Sequence, residues 1–396
     1  MVTNWRKVQL DRILKESREL AKEQKTDKRL TVKLHLQGVQ KREERATDKI
    51  GSTVYFKRKA GQFIYGKQNL HNGAIGIIPN ELNGYQSTQD VPAFDVSEEV
   101  DVNWLYYYFA RPSFYKNLES LATGTGSKRI QPKELLKLDI LVPPLVVQKK
   151  ITEILSSVDK AIEKTEGIIE QKEKIKKGLV QQLLAKGIGH TKFKKTEIGD
   201  IPKDWEVVTI DECCEILDNR RVPLSKEVRE TMQGEIPYYG ATGVVDYIND
   251  YLFDEEIVLI GEDGDHFKKF RDWSMTNLVR GKSWVNNHAH IIRAKTSVTN
   301  EWIYRFLEHR DITPYLSIQG ATRLKLTQQN LRQIKVAIPS KEEQKQVTTI
   351  IESVDKKKEI ELKRLMQLRD IKKGLMQSLL TERVRVKVDE DEVTQV

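Results

Sequence analysis

One stretch of this chain is written twice. Residues 143–184 align without a gap on 339–380, 196 positions further on, and 19 of the 42 positions are identical. Among them are Gln148 and Gln344, the run Ser157-Val158-Asp159-Lys160 with Ser353-Val354-Asp355-Lys356, and Ile175-Lys176-Lys177-Gly178-Leu179 with Ile371-Lys372-Lys373-Gly374-Leu375. A second match at an offset of 200 sets residues 5–11 on 205–211 in a shared Trp-x-x-Val-x-(Leu/Ile)-Asp pattern. Such self-similarity means a structural unit built twice, so the chain is two globular modules, each followed by a repeated segment.

The repeated segment reads as a long helix. Ile151, Ile154, Val158, Ala161, Ile168, Ile175, Leu179 and Leu183 recur at three- and four-residue steps. The first copy opens after Pro143-Pro144 and closes before Gly187; the second opens on Ser340-x-x-Glu343, a capping-box pattern. Forty residues make a rod of about 60 Å, and an apolar stripe that long needs a partner, which the other copy supplies. The positions expected to pack are Ile151, Ile154, Val158, Ile175 and Gly178, with Val347, Ile350, Val354, Ile371 and Gly374. The glycines admit two readings, a close approach of backbones or a tolerated kink.

The modules, roughly 1–142 and 203–338, are close in length and different in sequence. Segments 53–56, 63–65, 74–78, 247–253 and 257–260 carry the β-branched and aromatic character of strands between glycines. Residues 102–121 and 300–316 read as helices whose rings are expected in the core. The fold class is therefore α+β: two strand-rich modules separated by two long, coiled-coil-like helices, a pseudo-twofold duplication. The divisions fall at 1–142, 143–187, 188–338, 339–383 and a tail at 384–396.

A net charge of +9 favours an anionic partner. Polar groups suited to base edges or phosphates lie at Lys57-Arg58-Lys59, Lys67-Gln68-Asn69, Gln86-Ser87, Asn219-Arg220-Arg221, Lys268-Lys269, Asn277, Arg280, Lys282 and Asn286-Asn287-His288. For any one of them a solvated surface role is the competing reading. Before the rods, Ser127-Lys128-Arg129 and Thr322-Arg323 follow glycines and suit a backbone phosphate as well as a plain turn. Catalytic patterns are missing. His288-x-His290 has no further ligand cluster in sequence, Gly281-Lys282-Ser283 lacks the upstream glycine of a phosphate loop, and Glu262-Asp263 are carboxylates on a turn. Neither catalytic residues nor a metal site is expected. Cys213 and Cys214 are adjacent and cannot join separate segments. No apolar run is long enough for a membrane, and a cytoplasmic protein is expected.

The two copies of the repeat, with residues 191–208, 236–248 and 284–292, closely resemble the specificity subunits of type I restriction–modification systems, and the resemblance covers nearly the whole chain. It implies two target-recognition domains held by antiparallel helices, each reading one half of a bipartite, asymmetric duplex DNA target. It further implies a non-catalytic chain whose partners are adenine methyltransferase subunits and a restriction and translocation subunit. S-adenosylmethionine, ATP and magnesium would belong to those partners, with no cofactor in this chain. Specificity subunits of related type II systems share the design. A coiled-coil adaptor gripping protein or sugar, and a self-sufficient nuclease or methyltransferase, are the readings from other classes.

Overall fold

The computed structural model describes residues 5–45, 48, 50–124, 128–319 and 323–387. Ser127 and Thr322, two of the residues proposed to meet DNA, lie outside them. The chain forms two compact units, one of Met1–Gly167 with Leu362–Val396, the other of Ile168–Glu361. The boundary passes through both long helices, so each unit takes one module and the adjoining ends of the two rods.

The first unit is built on a four-stranded antiparallel sheet in the order Leu14–Ser17, Ala93–Val96, Phe63–Tyr65, Ile75–Ile77. Phe63, Ile64 and Tyr65 are all fully buried, because both faces of this central strand are covered. The helix Val102–Phe109 starts where the Asp101 carboxylate accepts the Trp104 amide at 2.7 Å, and it buries Trp104, Leu105 and Phe109 in the same core. Arg6–Gln9 pairs with Asp139–Val142, the strand that leads into the first rod.

The second unit repeats this plan. Cys214–Ile216, Ala289–Ala294, Ile257–Gly261 and Thr276–Val279 form a sheet in the same order, Glu206–Thr209 pairs with Lys335–Ile338, and Thr299 caps the helix Asn300–Glu308. Registers correspond as well, Leu14 facing Val96 and Cys214 facing Ala294. The duplication thus runs through modules whose sequences look unrelated. What differs hangs on the frame. The second unit adds a sheet of Gly243–Ile248, Gln233–Gly240, Lys282–Val285 and Phe253–Asp254, whereas the first carries the small pairs Leu30–Val32 with Val39–Lys41 and Tyr55–Lys57 with Gln86–Thr88.

Two expected helices are shorter than the sequence predicts. Residues 102–121 break after Phe109 into Pro112–Tyr115 and the 3-10 turn Lys116–Leu121, and 300–316 end at Glu308 before the turn Thr313–Tyr315. Pro112 and Pro314 lack the amide that a continuous helix requires.

The rods are Leu145–Lys186 and Lys341–Leu379. Each is fastened to its module by the repeated glutamine. Gln148 accepts the Asp101 amide at 2.8 Å and donates to the carbonyls of Glu99 and Pro143; Gln344 accepts the Thr299 amide at 2.9 Å and donates to those of Ser297 and Pro339. Within the first unit Val147, Ile151 and Leu155 share a core with Met376, Leu379 and Leu380, and Asp159 and Glu166 meet Lys372 at 2.6 Å and Arg369 at 2.7 Å. Within the second, Val180 and Leu183 share a core with Val347 and Ile351, and Lys172 and Lys176 meet Glu361 at 2.9 Å and Asp355 at 2.8 Å. In both, numbers rise along one helix as they fall along the other, which is antiparallel pairing.

Of the expected packing positions, Ile151 and Val347 are fully buried and Ile154, Val158 and Val354 half-buried. Ile175, Ile350 and Ile371 are instead exposed, and a Cβ built on Gly178 or Gly374 would meet nothing within 4 Å among the described residues. The close-approach reading of the glycines is therefore corrected. A straight helix turns every 3.6 residues, so a stripe spaced at threes and fours drifts around the axis over forty residues and leaves part of itself facing out. Cys213 and Cys214 are buried and unlinked, their sulfurs 3.7 Å apart. Among the described residues no helix is long and apolar enough to cross a membrane.

Candidate nucleic-acid interface

The polar residues marked in the sequence separate into three groups once folded. The first is interior framework. Arg58 is fully buried, donating to Ser87 Oγ and the Ser17 carbonyl at 2.7 Å and to the Val91 carbonyl at 3.1 Å. Burial lowers its pKa to about 10. Gln86 is spent on the Lys25 amide and the Glu23 carbonyl. These three, Arg58, Gln86 and Ser87, hold the module together and have no free edge for a base.

The second group is exposed and tied locally. Lys57 and Lys59 flank Glu19 at 3.5 and 2.9 Å, Arg220 pairs with Glu255 at 2.8 Å above the Phe253 ring, Arg280 bridges Glu256 and Glu301, and Lys282 lies over Tyr251. Lys268 and Lys269 are exposed on the turn Asp265–Lys269, and Gln68 and Lys128 are exposed beside the loops of the first unit.

The third group is gathered, at corresponding places in the two units. In the second, the strand Ile257–Gly261 runs into Glu262 and Asp263. Arg221 reaches Glu262 at 2.5 Å, Lys325 reaches it at 3.0 Å, and Arg323 and His288 stand 2.8 and 3.1 Å from Asp263. Asn286 accepts the His288 amide at 2.8 Å, Asn287 lies between them in sequence, and Asn277 Oδ1 would lie 3.8 Å from a Cβ on Gly243. Beneath them His290 is fully buried, 2.6 Å from Asp218 and 2.7 Å from the Leu326 carbonyl, while Gln328 donates to Asp218 at 3.1 Å. Burial alone would raise the Asp218 and Glu262 carboxyls. The bond and charge of His290, the Ile291 amide and Arg221 hold Asp218 low; Arg221 and Lys325 with the His290 charge do the same for Glu262.

In the first unit the same backbone bonds recur. Ile130 donates to the Lys67 carbonyl as Leu326 does to Glu262, and Lys67 donates to Asp90 as Glu262 does to His288. Asn69 sits two residues on and accepts from Asn72, and Arg129 meets Asp90 at 3.2 Å. The residues so equated carry different charges. Lys67 stands for Glu262, Arg18 for Asp218 by the sheet register, and Pro92 and Pro132 for His290 and Gln328. Asp218, Glu262, Asp263 and Lys325, which organise the gathered cations, were absent from the sequence-based set. Carrying the repeat offset into the modules would have marked Lys325 against Arg129.

Among the described residues no group of three or more metal-ligating side chains could hold an ion. The arrangement is one sheet frame made twice, fringed by gathered cations and amides, on paired helices. This is the architecture of a two-module recognition protein. The chain belongs to the type I restriction–modification specificity family: the model described as "Type I restriction modification DNA specificity domain" matches residues 13–174 and 202–370. The putative type I restriction enzyme MjaX specificity subunit of Methanocaldococcus jannaschii is 30% identical over 341 residues, 82% of this chain and 78% of that protein. The MjaVIII specificity subunit of the same organism is 28% identical over 300 residues, 72% of this chain and 71% of the relative. The fold is shared with the S subunit of a type I system from M. genitalium (TM-score 0.60, 17% identity, 96% of both chains). It is also shared with a chain from a structural study of complex assembly and conformational transition of the type I system (TM-score 0.58, 15% identity, 97% of this chain and 100% of that one).

Proposed function

We propose that each module of this DNA-specificity subunit reads one half of a bipartite, asymmetric duplex target, and that the paired helices dock adenine methyltransferase subunits. A restriction and translocation subunit completes the complex. This chain performs no reaction, as the family's non-catalytic character supports, and S-adenosylmethionine, ATP and magnesium act in the partners. The observation that carries the reading is the repeated sheet frame with corresponding positions of opposite charge, since two half-sites of different sequence call for one scaffold with two sets of contacting groups. The half-buried and exposed members of the gathered sets, Lys67, Asn69 and Arg129 in one unit and Asn277, Asn287, His288 and Arg323 in the other, together with the exposed Lys128, are the proposed DNA contacts. Methylation mapping by long-read sequencing tests this in cells expressing the chain with its methyltransferase partner. A split motif methylated on adenine in both halves is expected, and replacing residues 203–338 by the equivalent module of another family member should change one half only. An active, assembled partner that methylates no new motif would overturn it.

A further inference from the structure

In the second unit the ground below the strand ends is filled: Asp218, His290 and Gln328 form a bonded plug, with Glu262 and Arg221 above it. In the first unit the corresponding residues are Arg18, Pro92, Pro132 and Lys67. Two prolines cannot supply the bonds of His290 and Gln328, and two cations replace two carboxylates. The result is an open cleft of about 580 Å³, lined by all four. Phe56 and Lys133 also line it; Arg58 forms part of the wall, each of its three nitrogens donating a hydrogen bond within the module. The one lining carboxylate, Glu16, is paired with Arg18 at 2.8 Å. Lys67 has no hydrogen-bond or ion-pair partner for its ammonium among the described residues, although it is half-buried. Burial lowers its pKa, and the charges of Arg18 and Arg129 push the same way against Asp90 and Glu16. A partly desolvated ammonium among other cations is a group that an anion would stabilise.

We infer that this cleft, at the place that Asp218, His290 and Gln328 occupy in the second unit, seats a phosphodiester of the DNA bound by the first module, held by Lys67, Arg18 and Lys133. The inference rests on the DNA-reading function proposed above and assigns one of its contacts to the backbone rather than to a base. A phosphate contact contributes affinity without sequence preference and releases a counterion.

The test is duplex binding by the complex assembled with its methyltransferase subunits, followed by fluorescence anisotropy across a range of salt. One duplex carries the mapped motif and one is scrambled. Lys67→Gln is expected to lower the log–log salt slope by about one, so that the affinity lost between about 50 and 200 mM salt shrinks some three- to fourfold for both duplexes alike. Lys67→Arg should retain the slope, and the methylated motif should be the same in every variant. Lys133→Gln, on the exposed rim, should lower the slope in the same sense and guards against misfolding of the first variant. Wild-type binding whose slope neither variant moves overturns the cleft and leaves the general reading standing. A changed base preference in one half-site overturns it in favour of base contact. Saturable binding of AMP that Lys67→Gln abolishes, with the DNA slope untouched, assigns the cleft to a free nucleotide and overturns it too. A wild-type complex with neither salt-dependent duplex binding nor a methylated motif would remove both proposals together.

Discussion

The two units share a frame and differ in what stands on it. At the strand ends the second unit bonds buried Asp218 and His290 to Gln328 beneath the half-buried Glu262 and Arg221, and the first opens a cationic cleft from Arg18, Lys67, Pro92 and Pro132. The backbone bonds that position both sets are the same. A duplicated fold can therefore preserve where side chains are presented while reversing their charge, because backbone pairing and apolar packing set the position of the fringe and neither sets its charge.

The largest contrast should come from that fringe. Asp218→Ala leaves His290 and the Ile291 amide without their acceptor in the interior, frees the exposed Gln328, and should cost about 3 kcal/mol. Arg18→Ala, at the corresponding place in the first unit, removes only an exposed pair and should cost no more than about 0.5 kcal/mol. Denaturant midpoints of the full chain measure both; equal costs would break the comparison. The Asp218 carboxyl is held below its ordinary value, so its contribution is fully present above that value and lost as pH falls through the lower folded one. Stability should therefore decline as pH falls below about 4, the ordinary carboxyl value, and Asp218→Asn should flatten that decline.

Next in size are the glutamines, where the units should agree. Gln148→Ala and Gln344→Ala each strand one amide and two carbonyls where rod meets module and should each cost about 2 kcal/mol, with faster hydrogen exchange confined to the affected unit. The tryptophans sharpen a finer difference. Trp302 Nε1 donates to the Ala337 carbonyl at 2.9 Å, whereas Trp104 Nε1 is buried with no partner among the described residues. Trp302→Phe should cost about 1 kcal/mol more than Trp104→Phe, because only the first strands a carbonyl. Smallest of all, Gly178→Ala and Gly374→Ala should each stabilise by about 0.5–1 kcal/mol in thermal melts, since open space surrounds both and helices disfavour glycine.

How much of this was legible depended on whether the repeat could be followed. The rods could be read almost to their ends, from a stripe at helical spacing and a capping serine. So could the strand Phe63–Tyr65 and the start of each ring-rich helix. The helix breaks were missed because aromatic periodicity outweighed Pro112 and Pro314. Ile175, Ile350 and Ile371, expected to pack against the other rod or a partner, are exposed in this chain, because which side of a rod is covered changes along its length. Arg58 and Gln86 looked like surface groups because a polar letter does not reveal that its bonds are met by carbonyls of Ser17, Val91 and Glu23.

The sequence by itself determined the duplication, the long helices and the α+β modules, since periodicity and self-similarity are properties of the order of residues. The tertiary structure alone decided that Lys67 answers to Glu262 and Arg18 to Asp218, and that one place is a plug and the other a cleft. Those pairings join strands far apart in the chain, and what a charge does there depends on which buried neighbours can meet it.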